Sequence, residues 1–279
     1  MINDLKMTIL VDNIAAGSLK GEWGLSILIQ ADERCILLDT GQSGAFAENA
    51  QALGIDLHKV DTGVLSHAHY DHSDGMDVFF ELNTTAPFYV REGSGENCMG
   101  RNDDGSDKYI GIKKGILGTY AGRIRYAAGT EEIGDGIWLV PHRKADYTPI
   151  AVRNELFVCR EGKCCPDDFA HEQSLVMETQ AGLVIFNSCS HAGMANILAD
   201  VREALGRRDV AAYVGGLHLF MYTDEELEGL YREIAACKIS RIYTGHCTGD
   251  HGFDFLHERM GGRIIQFASG FEADLIKND

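Results

Sequence analysis

The chain has 279 residues, 45% of them hydrophobic, and a formal net charge of −17 at neutral pH. The composition is ordinary for a globular protein, and the acidity argues against broad nucleic-acid binding, which needs clustered Lys and Arg. No run of about 18 apolar residues occurs, so no membrane span is expected, and the start MINDLKMTILVDN lacks the pattern of a signal peptide. Eight scattered cysteines, in a chain too long to need disulfide staples, point to a reducing cytoplasm.

In chain order, MTILVDN, LSILIQ and CILLD predict three strands separated by Gly- and charge-bearing turns. Residues 43–53 have helical spacing, with Ser43 as a cap and Gly54 as a stop. KVDTGVLS predicts a short strand, GMDVFFELN a helix, and APFYV a strand. Residues 91–130 carry Gly, Asn, Asp and Ser at loop density and predict a long excursion, of the kind that is usually functional or disordered. GIWLVPH, ELFVCR, SLVMET and GLVIFNS follow as strands, the last two joined by a tight turn at 180–182. MANILADVREAL is an amphipathic helix, VAAYVGG a strand, and TDEELEGLYREIAAC a helix opened by a capping box from Thr223 and Glu226. ISRIYTG, a short helix and RIIQF close the pattern. Strand-rich halves with interspersed helices predict an α/β fold with helices outside two packed sheets, in one domain over 1–279.

The densest chemistry lies in GVLSHAHYDHSDGM, residues 63–76. Polar clusters of this density are unfavourable to bury without partners. In extended chain His67 and His69 point to the same side, and a helical turn at 71–72 would bring Asp71 and His72 to a neighbouring spot. Imidazole and carboxylate together suit zinc and similar divalent ions. Further ligands are needed downstream, and three histidines sit where predicted strands end: His191 after LVIFNSCS, His218 after VAAYVGGL, and His246 after SRIYTG.

With these residues in view, the chain resembles the metallo-β-lactamase-fold hydrolase superfamily. It is most similar to the branch of the methanopterin-pathway enzyme that joins a dihydropterin to a ribofuranosyl-aminobenzene phosphate. The resemblance is carried by GLS at 24–26, LLDTG at 37–41, SHAHYDH at 66–72, SCSHAG at 188–193, GGLHL at 215–219 and GHCTG at 245–249. It implies a four-layer αββα sandwich with one or two divalent ions at one edge: zinc, with manganese or iron as alternatives. His67, His69 and His191 would hold one ion, and Asp71, His72 and His246 the second. Asp39 would orient a ligand histidine from behind. The superfamily's bridging aspartate has no counterpart at the end of AAYVGGLHL, where His218 is the nearest candidate. Asp71 and one hydroxide would then cancel only two of the four positive charges of an ion pair.

The implied chemistry is attack by an ion-activated water on a small anionic phosphate or carboxylic ester, with Asp71 and His218 as catalytic candidates. A transferase of the pterin branch, a nuclease and a metal-binding sensor without turnover are the alternatives, the nuclease being disfavoured by the acidity. Substrate selection is assigned to 91–130 and 141–171, with Arg91, Arg101, Lys108, Lys113 and Lys114 as phosphate contacts and Tyr109, Tyr120 and Tyr126 as stacking surfaces. Asn13 and Glu22 are weaker candidates near the rim. Cys159, Cys164 and Cys165 are expected to be ordinary thiols, and Cys189 and Cys247 to be buried beside the site without ligating. No P-loop, Gly-x-Ser-x-Gly or dinucleotide fingerprint is present.

Overall fold

Two seven-stranded sheets face each other, and their shared interior explains why so many segments read as unbroken apolar runs. The computed structural model describes residues 1–102, 104–142, 147–206 and 209–276. The first sheet runs, edge to edge, Glu272–Asp274, Leu5–Val11, Ser26–Ala31, Arg34–Leu38, Thr62–Val64, Phe88–Arg91 and Ile124–Ala127. The second runs Ile264–Gln266, Ile239–Thr244, Val210–Val214, Gly182–Phe186, Gln173–Thr179, Ile137–Pro141 and Glu131–Gly134.

The period-two alternation of each strand divides its side chains between two apolar layers. Leu5, Met7 and Ile9, then Ile27 and Ile29, then Ile36 and Leu38 enter the layer between the sheets, where they join Leu175, Met177, Val184 and Phe186. Leu10, Leu28 and Leu37 face outward into a second layer with Phe46, Ala50, Met76 and Phe79 of the helices Ala45–Ala52 and Met76–Leu82. On the far side Leu183 and Ile185 meet Ile197 and Val201 of the helix Met194–Leu205, with Leu227 and Leu256 of two further helices. Helix, sheet, sheet and helix thus form the four expected layers. Full burial of a Leu, Ile or Met side chain contributes ~1.5–3 kcal/mol, so these layers dominate the stability.

Four parallel neighbours, Gly182–Phe186, Val210–Val214, Ile239–Thr244 and Ile264–Gln266, put consecutive carboxyl ends on one edge of the second sheet. Arg34–Leu38 and Thr62–Val64 do the same in the first. Open α/β sheets gather ligands outside such ends.

Several expectations change. Part of the 91–130 excursion is core: Ile124–Ala127 is the edge strand of the first sheet, parallel to Phe88–Arg91. Cys98–Arg101 and Asp107–Tyr109 form a small third sheet with Phe157–Arg160 and Lys163–Pro166, so ELFVCR leaves the main sandwich. Cys159 and Cys164 stand opposite each other in that hairpin and are joined by a disulfide. This corrects the expectation of ordinary thiols: spacing along the chain does not display cross-strand register. Cys165 is a free, exposed thiol. The helix after ISRIYTG is 12 residues long rather than short, and residues 143–146 of the proposed specificity segment lie outside the described residues. Among those described, no helix is long and apolar enough to cross a membrane.

Ile27→Ala should lower unfolding free energy by about 2–5 kcal/mol, because Ile27 lies in the inter-sheet layer, whereas Leu82→Ala, at an exposed position, should change it by well under ~1 kcal/mol. Denaturant titration of both variants at pH 7 checks the contrast.

Candidate metal centre

The strand Thr62–Val64 ends at the motif. Residues 66–68 bend, His69 is extended, and the chain turns into the one-turn helix Tyr70–Ser73. The His67 and His69 rings come within 4.7 Å of each other, and the His67 ring lies 4.2 Å from that of His72.

The orientation of these rings is set by a buried hydrogen-bond chain. Asp39, fully buried at the end of Arg34–Leu38, accepts from the Ser66 amide at 2.7 Å, the Ser66 hydroxyl at 2.6 Å and His72 Nδ1 at 2.8 Å. Because Ser66 gives its single hydroxyl proton to Asp39, its oxygen must accept from His67 Nδ1, 2.8 Å away. Both imidazoles therefore carry their proton on Nδ1 and present the Nε2 lone pair to the cavity. His246 is fixed in the same sense. Asn13 donates its amide to the His246 carbonyl at 3.2 Å, so its Oδ1 faces His246 Nδ1 at 3.0 Å and takes that proton. The His246 amide donates to Asp12 at 2.8 Å.

The downstream histidines arrive from strand ends through tight loops. Ser190, His218 and His246 adopt φ of 56°, 54° and 49°, a left-handed conformation that costs a non-glycine residue ~1–2 kcal/mol. His191 is held by Glu172, whose carboxylate accepts from the amides of His191 and Ala192 at 2.9 Å each. Its ring lies 4.8 Å from that of His69, 4.9 Å from that of His67 and 4.5 Å from that of His218. All six expected histidines thus share one cavity edge.

The donor set fits divalent cations. His72 Nε2 and His246 Nε2 face one another at 3.2 Å, and in the metal-free protein a proton on His246 Nε2 meets the His72 lone pair. Asp71 Oδ2 lies 3.5 Å from His246 Nε2 and 3.8 Å from His72 Nε2. His67 Nε2, His69 Nε2 and both ring nitrogens of His191 and His218 are buried without a hydrogen-bond partner. Each buried unsatisfied group costs ~1–3 kcal/mol, which a shared cation would relieve.

Electrostatics in the metal-free protein agree. Burial, reinforced by neighbouring imidazoles, holds His67 and His191 well below the usual histidine range, and burial takes His69 down to about 3 against the pull of Asp167 and Asp71. Burial opposes ionisation of Asp71, but His72 and His246 outweigh it and hold the carboxyl well below its usual range. Burial also opposes protonation of His246, yet nearby acidic groups, Asp71 and Asp12 among them, outweigh it and raise His246 to about 9. A proton there stands where a cation would sit.

A cleft of about 420 Å³ opens onto these residues, walled by Trp23, Tyr70, Arg101, Lys108 and Phe220. Of the basic candidates, only Arg101 and Lys108 reach it. Arg91 donates to the Ala127 carbonyl, Lys113 pairs with Asp77, and Lys114 lies over the Tyr109 ring. The tyrosine expectation is corrected too: Tyr109 bonds the Ile112 carbonyl, Tyr120 stacks on Phe80, and Tyr126 is exposed away from the cleft. Asn13 belongs to the site, while Glu22 instead braces the Gln42–Ser43 loop. Sequence reasoning missed Ser66, Glu172 and the buried pair Asp167–His171, in which His171 Nε2 lies 3.1 Å from Asp167 and His171 Nδ1 accepts from the Ala68 amide. The four-residue spacing of that pair in PDDFAHE was the available signal.

This is the fold and the donor set of a metallo-β-lactamase-type protein. A sequence profile of the Metallo-beta-lactamase superfamily, whose members use divalent metals, matches residues 24–144, and the fold is that of its structural relatives. The chain is 24% identical, over 95% of its length and 98% of the relative, to the 7,8-dihydropterin-6-methyl-4-(beta-D-ribofuranosyl)-aminobenzene-5'-phosphate synthase of Methanocaldococcus jannaschii. It is also 27% identical to an uncharacterized protein of that organism, over 86% of this chain and 90% of the relative. A metal-dependent hydrolase of the beta-lactamase superfamily superposes with a TM-score of 0.81 and 27% identity, covering 96% of this chain and 98% of that one.

Asp39→Asn should keep the fold, since Asn tolerates the φ of 60° at this position, and should weaken metal binding by about 10–100-fold. Chelator competition measures this, and unchanged affinity would contradict the orienting role. The neutral His67, His69 and His191 give a second expectation. Below pH 6.5, the ordinary histidine value, the unfolded chain binds more protons than the folded one at these groups, so their contribution to stability falls as pH drops from 6.5 toward about 3. Thermal melts of stripped protein should show this fall, and His69→Asn should flatten it.

Proposed function

We propose that the chain is a metal-dependent hydrolase of a small anionic substrate, a phosphate or carboxylic ester. The reading is supported most directly by the buried ring nitrogens of His67, His69 and His191 that find no hydrogen-bond partner, beside His72 Nε2 and His246 Nε2 3.2 Å apart, an arrangement that suits cations. Taken as one domain over 1–279, the chain would hold one ion with His67, His69 and His191 and a second with Asp71, His72 and His246. Zinc is the first choice, with manganese or iron as alternatives. When bound, such ions supply Lewis acidity and lower the pKa of water toward neutrality.

The chain's own residues account for the rest. Lys108 Nζ, 5.5 Å from the Tyr70 ring centroid, presents positive charge on the cleft wall of an acidic protein, beside Arg101, whose charge is shared with Asp107 at 2.6 Å. That local charge suits an anionic group on the substrate. His218, with neither ring nitrogen engaged, is positioned to hold a proton at a ring nitrogen and give it to a departing oxygen. Trp23 and Phe220, edge to face at 5.7 Å, form an aromatic wall on one side of the cleft.

A second reading, transfer of a pterin diphosphate to an aminobenzene ribofuranosyl phosphate, is favoured by the end-to-end similarity to the Methanocaldococcus jannaschii synthase. Chromogenic phosphomonoester, phosphodiester and carboxylic ester substrates, assayed with zinc, manganese or iron, separate the two. Turnover on one ester class, lost at least about a hundredfold in His69→Ala together with metal, supports the hydrolase. Silence across the panel from metal-loaded protein, with product formed from the pterin diphosphate pair, would replace it by the transferase. Turnover persisting in metal-depleted His69→Ala would defeat both.

A further inference from the structure

We infer that Cys189 is a metal ligand: its thiolate would lie between the two ion positions and supply the negative charge that is missing where the bridging aspartate is absent. The inference rests on the metal-centre reading above and deepens it.

Cys189 Sγ lies 3.2 Å from His72 Nε2. Its sulfur is within 4.8 Å of the ligand atoms of His67 and His191, and equally within that distance of those of His72 and His246. The first pair belongs to one proposed ion and the second to the other. Ligand atoms around a tetrahedral ion with bonds of ~2.0–2.3 Å lie ~3.3–3.8 Å apart, close to the spacing from Cys189 to His72 and from His72 to His246. A cysteine alone would carry no such inference. Here the unpartnered nitrogens of His67 and His191, both almost fully buried, face the same space, and Cys189 is itself buried among them.

Cys247 takes a different part. Its sulfur lies 3.5 Å from Cys189 Sγ and 3.8 Å from the Cys189 carbonyl oxygen, with the thiol donating toward both. It meets the ligand atoms of no histidine but His218 in such a group. A thiol donor against a thiolate steadies the negative sulfur without occupying a coordination position. On metal loading, the Cys189 S–H bond breaks, the proton goes to solvent, and the sulfur lone pair forms the bond to the ion; no electron is transferred. The charge count improves by one, and a soft sulfur ligand favours zinc, cobalt or iron over manganese and magnesium.

Cobalt(II)-loaded wild-type protein tests this without reference to turnover. A near-ultraviolet sulfur-to-cobalt charge-transfer band is expected, together with X-ray absorption of the zinc form showing a sulfur neighbour at about 2.3 Å. Cys189→Ala should abolish the band and reduce bound metal from two ions per chain toward one, while Cys247→Ala keeps the band. Two bound ions with only nitrogen and oxygen neighbours in the wild type would overturn the inference and leave the metal centre standing. A band that survives in Cys189→Ala, or that disappears only in Cys247→Ala, would overturn it as well. Absence of any bound ion would overturn both. The wild-type measurements decide the matter even if a variant fails to fold.

Discussion

A buried carboxylate that accepts three hydrogen bonds orders the rest of the centre. Isolated in an apolar interior, the Asp39 charge would be strongly unfavourable. It is offset by the Ser66 amide, the Ser66 hydroxyl and His72 Nδ1. Those same bonds tie the end of the strand Arg34–Leu38 to the loop after Thr62–Val64. They pass through Ser66 to His67, so one carboxylate sets the proton positions on two imidazoles. Without that relay each ring could present either nitrogen, and two lone pairs would not be held toward one point.

The second constraint is steric. Asp39, Ser190, His218 and His246 all occupy the left-handed backbone region, and all follow strand ends at the edge shared by the two sheets. Strain of this kind persists only where surrounding structure over-determines it. Gly215 and Gly216 show how tight the surroundings are. A side chain at Gly215 would collide with the Asn187 carbonyl, and one at Gly216 with the Cys247 sulfur. Small residues beside each histidine let three parallel strand ends crowd together without clashing.

Charge is distributed unevenly between scaffold and cleft. The chain as a whole is strongly acidic, yet the small sheet of Cys98–Arg101, Asp107–Tyr109, Phe157–Arg160 and Lys163–Pro166 brings Arg101 and Lys108 to the cleft wall. It is anchored to the loop that carries His67 and His69 by the Tyr70 amide, which donates to the Ile110 carbonyl at 2.8 Å, and its outer hairpin is fastened by Cys159–Cys164. That oxidised pair is not what a reducing compartment would call for. The segment just beyond Asp107–Tyr109 also fixes the position of His69, through an isolated bridge to Gly111.

Much of this was legible in the chain alone. Apolar alternation in LKMTILV, SILIQA and GLVIF announced strands, Thr223 and Glu226 announced a capped helix, and His-x-His-x-Asp-His with three strand-terminal histidines announced a place for cations, because these patterns depend on residues near one another in sequence. Tertiary structure alone decided the remainder. Whether Arg91 or Arg101 faces the cleft, which tyrosines pack inward, and that Asp39 and Asn13 reach the rings of His72 and His246 depend on the docking of segments far apart in the chain, while the Cys159–Cys164 pairing depends on the register of a local hairpin. Local sequence carries periodicity and donor chemistry; which donors meet, and which nitrogen each imidazole offers, is set by long-range packing that no single segment encodes.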